Sequence, residues 1–200
     1  MIAALLKKEF KRFHYYDAIT GMSKILRRYF VMNSFDGALT TFGILLGSFI
    51  AQVQDPVLII HIGVGAAIAV GFSGLTGALL TERAERTREL QAMEKALHRK
   101  LEHTDYKKAY DFASFTAALV DGISPLVASL VLLSPFFLMD FLAIDISSAY
   151  FSSFGLALTA FFALGVFLGK VSKESMLATG FKLLLAGVLC MVVIFIVEGF

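Results

Sequence analysis

Phe30-Val31-Met32-Asn33-Ser34-Phe35-Asp36-Gly37-Ala38-Leu39-Thr40-Thr41-Phe42-Gly43-Ile44-Leu45-Leu46-Gly47-Ser48-Phe49-Ile50 carries a single charge, on Asp36. As a helix rising 1.5 Å per residue it would span about 30 Å, the thickness of the hydrocarbon core of a bilayer. In lipid a run of this kind can satisfy its own backbone donors and acceptors only as a helix. The stretch therefore predicts a transmembrane helix, and Asp36 is the residue within it that needs a reason.

Four further runs have the same character, at about 57–80, 109–133, 148–168 and 176–197. The chain is accordingly expected to be all-α, a polytopic membrane protein with five transmembrane helices. A polar helical segment, 81–108, joins spans two and three. Composition agrees: 58% of residues are apolar, Phe occurs 20 times, and only 17% are charged. A soluble chain of 200 residues could not bury that much apolar surface. The lone Cys190 lies inside an apolar run and excludes a disulfide framework. Net charge is +2, with the basic residues beside apolar runs, which argues against nucleic acid as a partner. The apolar run at 1–6 is too short for a cleavable signal peptide and is followed at once by Lys7 and Lys8.

Orientation follows from the connections. Gln52-Val53-Gln54-Asp55-Pro56 separates spans one and two, with Pro56 suited to the first turn of the next helix. Segment 134–147 carries Asp140 and Asp145 but no Lys or Arg. Seven Lys or Arg lie in 1–28, eight in 81–108 and two in 169–173, all on one side of a five-span chain. Lys182, the last, can snorkel to that side. The positive-inside rule then puts the N-terminus in the cytoplasm and, with five spans, Phe200 on the other side. Either a cell membrane or a vacuole-type membrane fits this integral, multi-pass arrangement.

Two units result: 1–28, and a transmembrane domain over 29–200 that contains the cytoplasmic connection 81–108. In the first, Leu5, Leu6, Phe10 and Phe13 alternate with Lys7, Lys8, Lys11 and Arg12. That spacing suits an interfacial amphipathic helix; a cytosolic helix packed on the same protein is the alternative. Small residues at Gly43 and Gly47, at Gly63, Ala67 and Gly71, and at Gly165 and Gly169 mark faces for close helix packing, within the chain or between copies.

Polar residues inside the spans carry the functional signal. Asp36 is followed in span three by Asp121, and a carboxylate in hydrocarbon is costly unless protonated, paired or bound to a cation. Asn33, Asp36 and Thr40 fall at i, i+3 and i+7. Asp111, Ser114, Asp121, Ser124 and Pro125 lie near one face of span three. These stripes offer oxygen ligands and proton carriers, and Pro125 frees one backbone carbonyl. Ion handling is the functional reading; a hydrogen bond inside the bundle is the plain one. In the connection, Glu82, Glu85 and Glu89 recur at i, i+3 and i+7 and could gather divalent cations. Arg83, Arg86 and Arg88 are interleaved with them, so a salt-bridged helix is the competing account.

Residues Asn33 to Gly47, with Asp36-Gly37 followed by Thr40, resemble the first span of the vacuolar iron transporter and yeast vacuolar calcium/manganese-resistance family. The five-span plan, the charged segment between spans two and three, and the proline-containing Gly122-Ile123-Ser124-Pro125 extend the resemblance over about 25–198. It implies a homodimer that moves Fe²⁺, and often Mn²⁺, out of the cytosol in exchange for protons. Asp36 would take part in translocation, and Glu82, Glu85 and Glu89 would collect metal beforehand. The family carries a metal-facing Met before a Gly in span two; here Val70 precedes Gly71, which favours harder ions. The 81–108 segment is also short for a full metal-binding domain.

The expectation is a divalent-metal transporter, not an enzyme, with a metal site drawn from Asn33, Asp36, Thr40, Glu82, Glu85, Glu89 and Asp121. It has no resident cofactor, and its partners are the bilayer, metal ions, protons and a second copy. A carrier of another cation and a structural membrane protein without flux are the alternatives. Gly71-Phe72-Ser73-Gly74 looks like an intramembrane serine protease motif. The required His is missing, because His61 lies twelve residues away on the same helix, about 18 Å.

Overall fold

A computed structural model describes residues 2–198, and the side chains of residues 10–197. Seven helices follow one another: α1 (Ile2–Thr20), α2 (Met22–Ile50), α3 (Pro56–Leu97), α4 (Asp105–Phe137), α5 (Met139–Leu142), α6 (Ile146–Ser172) and α7 (Met176–Glu198). No strand occurs among the described residues. Five of the helices, α2, α3, α4, α6 and α7, are long and apolar enough to cross a membrane.

The helices outrun the apolar runs that announce them. α3 continues unbroken from its span through Leu97, so the first part of the charged connection is a rigid extension of span two. Its start is set by Asp55, whose carboxylate accepts from the Val57 N–H at 2.9 Å, with Pro56 in the first turn. α4 also runs further than the apolar run, through Pro135 to Phe137. Pro135 removes the donor for the Val131 carbonyl, and the Ser134 hydroxyl supplies it instead at 2.7 Å. The 134–147 connection therefore reduces to the single turn α5 and a short link capped by Asp145.

α4 is the central element. It packs against α3, α2, α6 and α1, while α7 covers α6 and part of α2. The apolar core lies towards the end of the bundle away from the Lys/Arg-rich segments. Phe42, Leu45 and Leu46 of α2 meet Leu132, Leu133 and Phe136 of α4 and Tyr150 and Phe161 of α6 there. Edge-to-face rings knit this half, Phe42 against both Phe154 and Phe161 among them.

The small-residue faces of spans two and four are used inside the chain. A Cβ at Gly63 would press on Leu133, one at Gly71 on the Gly122 carbonyl, and one at Gly165 on Thr179 and Gly180. These two faces are therefore taken up by contacts within the chain, whereas a Cβ at Gly43 would meet only Ile194, at 3.6 Å. α1 lays Tyr16 against Ala109 and Ala113 of α4, with the Arg12 guanidinium over the Tyr16 and Phe112 rings. Phe10 and Lys11 sit on its open side, whereas the side chains of Leu5, Leu6, Lys7 and Lys8, like Phe200, lie outside the described residues.

Candidate functional site

Asp36 is the middle residue of α2 and Asp121 the middle residue of α4. They come together because both helices approach at residues without bulk. A Cβ on Gly37 would be driven into the backbone of Pro125, and the Ser129 hydroxyl donates to the Gly37 carbonyl at 3.1 Å. On the other side of α4, a Cβ on Gly74 would lie 3.0 Å from both the carbonyl and the Oδ2 of Asp121. Asp121 is thus held over α3 by the absence of a side chain at Gly74.

Between these contacts α2 and α3 part, leaving an open groove of about 390 Å³ over α4. Tyr29, Asn33 and Asp36 line it from α2, Val70, Ser73 and Thr81 from α3, and Asp121 from α4. The Asn33 amide donates to the Tyr29 carbonyl at 2.9 Å and to Asp121 Oδ1. Pro125 leaves the carbonyl of Asp121 itself without its helical donor. No side chain among the described residues donates to that carbonyl, in contrast to the repair at Pro135.

Asp36 is exposed on the groove. It makes no hydrogen bond or ion pair among the described residues. Thr40 is exposed one turn further along α2, outside the groove lining. Val70 does line the groove, so the position where a thioether was expected faces the carboxylates with an inert side chain. What remains for a cation is oxygen: two carboxylates, the Asn33 amide, the Ser73 hydroxyl and a freed carbonyl, a donor set for hard or borderline divalent ions. As it stands this is not a closed chelate, since no group of three or more His, Cys, Asp or Glu that could hold a metal occurs among the described residues.

The span-three stripe divides. Asp111 faces outward and pairs with Lys107 at 2.7 Å. Ser114 and Ser124 are buried and bond back to the carbonyls of Tyr110 and Val120. Ser73 lies in the groove and His61 on the same rigid helix, so they cannot meet.

The three glutamates of the connection differ in burial and contacts. Glu82 is buried; its Oε1 accepts from the Tyr29 hydroxyl at 2.7 Å and its Oε2 lies 3.7 Å from Arg86 Nε. Arg86 is buried as well and donates from Nη1 to Glu89 at 3.1 Å. Its guanidinium lies 5.4 Å from the centre of the Tyr110 ring. Glu85 is on an exposed face of α3. For Glu82 and Glu89 the salt-bridged account describes the contacts. Tyr29 and Tyr110 had no sequence signal beyond being aromatic; Arg86 was visible at i+4 from Glu82 and i−3 from Glu89.

The VIT family model matches residues 74–198, a stretch that begins at the groove glycine and takes in Glu82, Glu85, Glu89 and Asp121. An uncharacterized protein of Methanocaldococcus jannaschii is 34% identical over 175 residues, covering 86% of this chain and 87% of its own length. No solved structure matches.

Proposed function

The chain belongs to the VIT family, and on that premise we propose that it exports Fe²⁺ or Mn²⁺ from the cytosol in exchange for protons, as a homodimer. Divalent-metal transport in general is what the family and the five apolar helices support. One observation carries the finer reading. Asp36, in the middle of an apolar helix, is exposed on a groove shared with Asp121 and has no cationic partner there.

A carboxylate left in this state would face lipid tails at high cost. Two things remove the cost: a second protein surface over the groove, and a cation or proton on the acid. A second copy would supply the surface, and the closed groove would then be a polar path through the bilayer. The ion would pass from the Lys/Arg-rich side, cytoplasmic by the positive-inside rule, to Asp121 and Asp36. Protons and metal compete for the same carboxylates, so a proton arriving from the far side releases the ion. Val70 removes the soft ligand and favours Mn²⁺ and other hard divalent ions over Fe²⁺.

The test is uptake into proteoliposomes under an imposed pH gradient, with Fe²⁺, Mn²⁺, Co²⁺, Zn²⁺ and Ca²⁺ offered in turn. The reading expects gradient-dependent uptake of Mn²⁺ or Fe²⁺. Uptake of neither, by protein that is folded and inserted, would contradict it.

A further inference from the structure

At the Lys/Arg-rich end of the groove stand the buried charges of the described residues, Glu82 and Arg86. Glu82 follows Thr81 of the groove lining, and the Tyr29 hydroxyl that lines the groove is bonded to it. Any ion entering the groove from this end passes these side chains.

The contacts of Arg86 are unlike those of a fully satisfied structural pair. Charge-assisted N–H···O bonds are normally about 2.7–2.9 Å, yet Nε stands 3.7 Å from Glu82 Oε2. That nitrogen is buried and has no hydrogen-bond partner. The hydrogen bond Arg86 does make runs outward from Nη1 to Glu89 at 3.1 Å, itself longer than that range, and the Glu89 side chain is 44% exposed. The guanidinium is thus held loosely by both carboxylates, packed 5.4 Å from the centre of the Tyr110 ring, with its exposed partner on the Glu89 side.

We infer that Arg86 is a tethered cation occupying the position between Glu82 and Glu89, which a divalent ion takes only by displacing its guanidinium. The inference rests on the transport reading for where the ion goes next, and the occupancy itself does not depend on it. Metal capture here is a swap of one cation for another, and Arg86 sets how much ion is needed to drive it. Tyr29 keeps Glu82 oriented towards the groove during the swap.

The experiment titrates Mn²⁺ calorimetrically into purified full-length protein in nanodiscs and records melting temperatures with and without Mn²⁺. Arg86→Gln leaves Glu82 buried without its counter-ion. It should melt lower than wild type without metal and recover with Mn²⁺, and it should bind Mn²⁺ about tenfold tighter or more, the order expected for removing a competing charge at contact distance. Arg86→Lys should stay within a few-fold of wild type. Glu82→Gln combined with Arg86→Gln should regain the melting temperature without metal and lose the Mn²⁺ shift. Unchanged Mn²⁺ affinity in Arg86→Gln, a gain that persists in the double variant, a Lys variant that behaves like Gln, or failure to fold even with Mn²⁺ present would each overturn the inference. Wild-type flux, measured separately in proteoliposomes, tells the two readings apart. Absent flux with the affinity gain intact removes transport alone, and flux without the gain removes the role of Arg86 alone.

Discussion

The groove and the charged cluster at its end treat their acids in opposite ways. In the groove, Asp36 is exposed and unpaired and Asp121 is held by one amide. In the cluster, Glu82 is buried, bonded to Tyr29 and faced by Arg86, and Glu89 is bonded to Arg86 as well. The apolar span carries the acid with no protein partner, and the charged segment carries two acids, Glu82 and Glu89, already facing Arg86. Counting carboxylates points to Glu82, Glu85 and Glu89 as the stronger metal site, but availability points to Asp36 and Asp121. A carboxylate takes an external cation only to the extent that the protein has not already given it one.

The largest effect expected is at the wall between α2 and α4. Gly37→Ala puts a Cβ into the Pro125 backbone, which cannot yield as a flexible side chain would. The cost is expected to be about 3 kcal/mol, with the groove lost along with the packing. Thermal melting checks this, and a variant as stable as wild type would mean the helices are not held this close. Tyr29→Phe, of intermediate effect, cuts the link between the two regions by leaving Glu82 Oε1 without its donor. About 1–2 kcal/mol should be lost, and little of it in a Glu82→Gln background. Additive losses in that cycle would show that the hydroxyl and the carboxylate do not interact.

The smallest effect is expected at the far end, away from both regions. The Ser148 hydroxyl, followed by the Ser148 backbone N–H, holds the Asp145 carboxyl below its ordinary value. A depressed folded value means this cap stabilises above the unfolded pKa and is lost as pH falls through the folded one. Asp145→Ala should therefore lower the melting temperature slightly at neutral pH and not at all at strongly acidic pH. A deficit that is the same at both would contradict the cap.

The spans were legible because an apolar run of sufficient length has one stable state in lipid. The stripe Asn33–Asp36 was legible because helix period is local. That Asn33 meets Asp121, 88 residues on, was not, since it depends on Gly37 and Gly74 admitting α4 from two sides. The small-residue faces at Gly63 and Gly71 and at Gly165 and Gly169 announced close packing correctly but could not say against what. In the connection, the spacing of Arg86 between Glu82 and Glu89 was in plain view. The surroundings of the pair were not, because Tyr29 reaches Glu82 and Tyr110 lies against Arg86 from other helices.

The central claim is that Asp36 serves a passing cation and proton rather than the fold. Asp36→Asn keeps the shape and an oxygen and removes the charge and the titration. Mn²⁺ or Fe²⁺ uptake into proteoliposomes under a pH gradient, with melting recorded on the same samples, separates the two roles. The account predicts that uptake is lost while the melting temperature holds or rises, because neutralising an exposed acid in an apolar span relieves a desolvation cost. Wild-type uptake by a well-folded Asp36→Asn protein would contradict it.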